Sequence, residues 1–150
     1  MISKTSEYAL RAMVFLAESP GSSNPLQTIA EATQVPSGYL SKVLQQLVRA
    51  GLLTSQRGLG GGFSLARPAP ELSVYEVVQA VDPLTRILEC PLKLPEHREE
   101  LCALHRRLDD VMEMVERSFR LTSLADLLKK PTFPKPLDPK KASGDRPSAG

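Results

Sequence analysis

The chain has 150 residues, 41% of them apolar, and a formal net charge of +2, enough for one hydrophobic core with appendages and too little for two. No apolar run approaches the roughly 20 residues that cross a bilayer, and Met1-Ile2-Ser3-Lys4 lacks the apolar stretch of a secretory signal, so a membrane protein is excluded and a cytoplasmic one is expected. Thiols stay reduced in that compartment, which argues against a disulfide between the two cysteines, Cys90 and Cys102.

In chain order the pattern is first helical. Tyr8, Ala9, Ala12, Met13, Phe15 and Leu16 recur at helical spacing behind the hydroxyl cap candidates Ser3 and Thr5, and the helix should end at Glu18 before Pro20-Gly21-Ser22-Ser23. Asn24-Pro25 reads as an N-cap followed by proline at the first helical position, opening a short helix from Leu26 to Thr33. After Gln34-Val35-Pro36, a third helix from Ser37 places Leu40, Val43, Leu44, Leu47 and Val48 on one stripe and ends near Ala50-Gly51.

Residues 52–56 and 63–66 are strand-like and flank Arg57-Gly58-Leu59-Gly60-Gly61-Gly62, a hairpin with a glycine-rich tip. Pro68 and Pro70 stop the second strand, and Ser73 with Glu76 forms a capping box for a fourth helix, Val74 to Val81. Residues 82–95 have no clear period. From Glu96 to Arg120 the spacing predicts one long helix, because Leu101, Leu104, Leu108, Val111 and Val115 alternate steps of three and four, the seam of a helix that pairs with another. A short helical piece over 123–128 follows, and the proline-rich, lysine-dotted segment from Lys129 is expected to be disordered.

The expected fold is therefore mainly helical: a winged helix-turn-helix domain over 1–81, a sensor loop over 82–95, a dimerisation helix with its extension over 96–128, and a tail over 129–150. No Asp or Glu stands between Glu31 and Glu71, while Lys42, Arg49, Arg57 and Arg67 fall inside that window, so a basic surface lies there despite the small net charge. The second helix of such a pair enters the major groove of double-stranded DNA with its amino-terminal side chains first. Those are Ser37, Tyr39 and Ser41, followed by Lys42, Gln45, Gln46 and Arg49. Their hydroxyl and amide groups read bases or phosphates, and the cations neutralise backbone charge. At the hairpin, Gly58 and Gly60 allow close approach to DNA and Arg57 is placed to enter a narrow minor groove.

Other readings are weaker. A nucleotide-binding loop needs a helix after its glycines, and Phe63-Ser64-Leu65-Ala66 is strand-like. A module that docks a protein would present an acidic or broadly apolar recognition face, and this one is neither. No nucleophile–base pair or complete metal motif points to an enzyme.

The runs Ser6-Glu7-Tyr8-Ala9-Leu10-Arg11, Ile29-Ala30-Glu31, Tyr39-Leu40, Leu47-Val48-Arg49-Ala50-Gly51-Leu52-Leu53 and Arg57-Gly58-Leu59-Gly60-Gly61-Gly62-Phe63-Ser64-Leu65-Ala66-Arg67 resemble the IscR/NsrR family of winged-helix regulators, the Rrf2 superfamily. The resemblance implies a homodimer that pairs through the long carboxy-terminal helix, binds near-palindromic promoter DNA and represses, with Arg57 in the minor groove. It also implies a sensor, since many members hold an iron-sulfur cluster with three cysteines and a fourth ligand. Cys90 and Cys102 match the first and third of these, but Glu96 stands at the middle position. Two alternatives follow: a mixed site completed by Glu96, His97, His105 or Glu7, which stands where some relatives offer a carboxylate from the partner chain, as histidine replaces cysteine in some two-iron clusters, or two inert thiols in an apo-type regulator that senses a small molecule or thiol oxidation.

Overall fold

The computed structural model describes residues 2–97 and 100–129. Helix α1 (Lys4–Glu18) starts where the Ser3 hydroxyl accepts the Ser6 N–H at 3.2 Å. Its inner row, Ala9, Ala12, Met13 and Leu16, is fully buried and forms the axis around which the other elements pack. Small residues along this row let neighbouring helices approach closely, and burial of their apolar area supplies the main stabilisation.

Helix α2 (Leu26–Thr33) opens differently from expectation. Pro25 itself takes the cap position, and Asn24 exchanges two backbone hydrogen bonds with Phe63, at 3.0 and 2.8 Å. Gln34, in the left-handed region at φ 57°, stops the helix. Helix α3 (Ser37–Arg49) then buries Leu40, Val43, Leu44 and Leu47, and Gly51 at φ +75° turns the chain into the hairpin. Strands β1 (Leu53–Gln56) and β2 (Gly62–Leu65) are antiparallel, with Leu53 opposite Leu65 and Gln56 opposite Gly62. A 3-10 turn at Ala69–Glu71 precedes helix α4 (Val74–Val81), whose capping box between Ser73 and Glu76 is present in full.

The second half departs further from the sequence reading. Pro95–His97 forms a 3-10 turn, and helix α5 (Ala103–Leu121) begins at Ala103 rather than at Glu96, because Cys102 is extended, with φ −64° and ψ 163°, and serves as its N-cap. Leu101, expected in the helical seam, therefore lies before the helix. The short helix α6 (Leu124–Leu128), expected as an extension of the long helix, does not continue α5. It packs on α1 and the Ala69–Glu71 turn, with Leu124 fully buried. Two backbone bonds stitch it there, Leu124 N–H to Leu72 O at 2.8 Å and Val74 N–H to Thr122 O at 2.9 Å. The predicted tail beyond Lys129 lies outside the described residues.

Helix α5 buries no residue of its own. It is held to the rest of the chain by polar pins. Arg86 grips Asp109 with two hydrogen bonds of 2.6 Å each and Glu113 with one of 3.1 Å, while the Ile87 N–H donates to Asp109 at 2.8 Å. The Arg86 hydrogen bonds are the main cause that holds the Asp109 carboxyl below its ordinary range, with burial opposing and the Ile87 bond assisting. Near the other end, the Arg120 guanidinium lies 3.5 Å over the Tyr75 ring of α4.

Candidate nucleic-acid interface

With Leu40, Val43, Leu44 and Leu47 turned inward, helical geometry puts Gly38, Lys42, Gln45 and Arg49 on the opposite face of α3. All four are exposed. Gly38 was missed by sequence reasoning, although its spacing from Lys42 and Gln45 marks it; it leaves the centre of this face without a side chain at the helix start. Ser37 is exposed and Ser41 half-buried on one flank.

Tyr39 and Gln46 lie on the other flank, beside α1. The Tyr39 hydroxyl forms a short hydrogen bond with the Thr5 hydroxyl, and its ring meets Tyr8 edge-on at 5.5 Å and 83°. Arg11 stacks 5.5 Å from the Tyr8 ring, donates to Glu7 at 2.6 Å and to the Thr33 carbonyl at 3.1 Å. This lattice fixes the start of α3 against α1 and α2. A shallow surface groove lined by Thr5, Tyr39, Lys42, Gln46 and Arg49 follows α3 toward Val81.

The wing stands beside this face. Its base is anchored by buried Leu53, and Thr54 and Ser64 pair across the strands at 2.8 Å. Gly62, at φ +146°, lies so close to Asn24 that a methyl group there would overlap the Asn24 carbonyl. That contact, with the Asn24–Phe63 bonds, ties the wing to the entrance of α2. At the tip, Gly61 N–H bonds to Gly58 O at 3.0 Å, with Gly58 and Gly60 at φ +91° and +74°. Arg57 and Leu59 are exposed there.

Electrostatically, the four cations of the acid-free window divide into two kinds. Among the described residues Lys42, Arg49 and Arg57 form no ion pair. Arg67, counted in the basic surface from sequence, instead pairs with Glu76 at 2.5 Å and donates to the Glu71 carbonyl. Burial pushes the Glu76 carboxyl up, but the Ser73 N–H, Arg67 and the Ser73 hydroxyl outweigh it and hold the group below its usual range. Arg67 thus braces the wing to α4.

The expected sensor residues are only partly gathered. Cys90 is buried, and its carbonyl accepts the Lys93 N–H at 2.9 Å. Half-buried Cys102 places its Sγ 3.3 Å from His105 Nδ1. Glu96 is exposed in the 3-10 turn that His97 closes, and Glu7 is engaged by Arg11 of its own helix. Among the described residues no three His, Cys, Asp or Glu side chains gather to hold a metal ion. Cys90, Cys102, His105, Glu7 and Glu96 are thus not gathered into one ligand set within this chain.

On α5, the side opposite the Asp109 pin is apolar and open. Leu104, Leu108 and Val111 are 63%, 47% and 45% exposed, and Val115 is half-buried. Among the described residues no helix is long and apolar enough to cross a membrane.

Known proteins share this arrangement. A putative HTH-type transcriptional regulator of Aquifex aeolicus is 26% identical over 131 residues, covering 85% of this chain and 91% of that protein. The structure of T. potens IscR superposes with a TM-score of 0.70 at 28% identity, covering 85% of each chain. That of Staphylococcus aureus CymR in an oxidised form gives 0.71 at 26% identity, covering 89% of this chain and 99% of CymR. Residues 2–130 match the Rrf2 family, described as iron-dependent transcriptional regulators. The winged helix-turn-helix and this match together make the chain a DNA-binding transcriptional regulator that belongs to the Rrf2 family.

Proposed function

We propose that this regulator works in the cytoplasm as a homodimeric repressor that binds near-palindromic duplex DNA, with α3 in the major groove and the Arg57 wing in the flanking minor groove. The observation that carries this reading is the stretch without acids between Glu31 and Glu71, in which Lys42, Arg49 and Arg57 have no ion-pair partners among the described residues. Unneutralised cations beside hydroxyl and amide groups match phosphates and base edges. The second copy is supported by the open apolar side of α5, since a stripe that its own domain leaves uncovered gains burial from a symmetry mate.

The signal, in this reading, reaches the thiols or a small-molecule site rather than a chain-held cluster. The Cys102–His105 contact at the start of α5 supports a thiol response, as does the similarity to a CymR captured in an oxidised form. Selection of bound duplexes from a random DNA pool tests the function. Enrichment of an inverted repeat with half-sites about 10 base pairs apart, or a multiple of that, is expected. A pool that shows no enrichment, or a single unrepeated site, would overturn it.

A further inference from the structure

Leu59 is 108% exposed, the highest value among the large apolar side chains of the described residues. It is also the only residue with a side chain between Arg57 and Phe63, since its neighbours are Gly58, Gly60, Gly61 and Gly62. The wing therefore ends in a single isobutyl group with nothing beside it.

That group is not simply loose. The turn Gly58-Leu59-Gly60-Gly61 is closed by the Gly61 N–H to Gly58 carbonyl bond of 3.0 Å, and Gly60 at φ +74° supplies the positive φ that the third position of a type II turn requires. A methyl group on Gly61 would lie 2.5 Å from the Gln56 carbonyl oxygen and 2.8 Å from that of Gly58, so the turn sits tightly on the end of β1. The hairpin itself is tied down at Asn24. Leu59 is thus an apolar prong on a fixed turn, two residues from an arginine that forms no ion pair among the described residues and inside a stretch without acids.

Duplex DNA offers a matching surface. The walls of the minor groove are sugar C–H groups, and its floor is smooth at A·T pairs but carries the guanine N2 amino group at G·C pairs. Leucine is among the apolar side chains that proteins present from the minor groove, where they wedge between base steps. We propose that Leu59 is a specificity-determining residue, packing into the minor groove beneath the wing and selecting A·T over G·C pairs because the guanine amino group collides with it. Arg57 supplies charge at the same place; Leu59 supplies shape. This inference rests on the reading that the wing lies on DNA.

Inosine·C pairs make the test specific, because they keep a G·C-like major groove but lack the N2 amino group. Wild type, Leu59→Ala, Leu59→Met and Arg57→Ala are titrated against the selected repeat carrying A·T, inosine·C or G·C pairs under the wing, at several salt concentrations. Wild type and Leu59→Met bind the A·T and inosine·C duplexes alike and the G·C duplex roughly tenfold more weakly. Leu59→Ala binds the A·T duplex roughly tenfold more weakly than wild type and no longer distinguishes the three. Its salt dependence is unchanged, since no counterion release is lost, whereas Arg57→Ala flattens that dependence. The unfolding midpoint of Leu59→Ala matches wild type because the side chain is fully exposed in the folded chain. If Leu59→Ala retains wild-type affinity and preference while Arg57→Ala binds weakly, the wing lies on DNA and the assignment of Leu59 is wrong. If both variants bind like wild type, the wing reading fails and the inference with it.

Discussion

Replacing Leu108 by Asp probes the proposed pairing surface most directly. Leu104, Leu108 and Val111 expose 63%, 47% and 45% of their surface on one side of α5. Taking about 2 kcal/mol for full burial of each such side chain and scaling by its exposed fraction gives roughly 3 kcal/mol per chain, or ~6 kcal/mol for a symmetric pair. Leu108 is the central member of this stripe, so a dimer built on it cannot spare the position. Aspartate forfeits about 1 kcal/mol of burial per chain and sets a carboxylate against the apolar side of the mate, at several kcal/mol per ion. The dimer Kd rises by roughly a thousandfold or more. Sedimentation equilibrium reads the change, and circular dichroism checks that the helices stay native, as expected for a side chain that is 47% exposed in its own chain. A Leu108→Asp protein that sediments as the wild-type dimer would show that the second copy sits elsewhere.

Gly62→Ala drives a methyl group into the Asn24 carbonyl at a φ of +146°; urea unfolding is expected to show a loss on the order of 2 kcal/mol, with weaker operator binding as the wing leaves its anchor. Stability equal to wild type would mean that the hairpin is not fixed there. Because the Arg86 hydrogen bonds lower the Asp109 carboxyl, its contribution is complete above the unfolded value of about 4 and is lost as pH falls through the lowered folded value. Acid should therefore reduce the exchange protection of the Ile87 amide, and Asp109→Asn should lose this dependence; protection that holds steady through the acid range contradicts the pin. Finally, anaerobic reconstitution of wild type should leave no more iron and sulfide on the protein than on Cys90→Ala. An iron content well above that of the variant would restore the cluster.

The first half of the molecule was legible because its signals are local. Caps such as Ser3 and Ser73, the stripe through Leu40 and Leu47, and the glycines of the wing each act within a turn or two of chain. The start of α5 was not, since Cys102 caps it without a side-chain hydrogen bond and the acid-rich segment before it has good helical propensity. The place of α6 was equally hidden: five residues are too few to show a period, and its partners, α1 and Leu72, are remote in sequence. The same holds for charge. Arg67 and Arg57 look alike in the sequence, and only the fold brings Glu76 to one of them.

The position of Leu124 matters to the chain while it is still being made. A ribosome releases α1 to α4 long before residue 124, yet the core around α1 stays open on the side that α6 fills until Leu124 and its bond to Leu72 arrive. Synthesis of α5 must therefore precede closure of the DNA-binding core. A nascent chain therefore completes the core beneath its recognition helix only after α5 has left the exit tunnel, although α5 adds no buried side chain to that core.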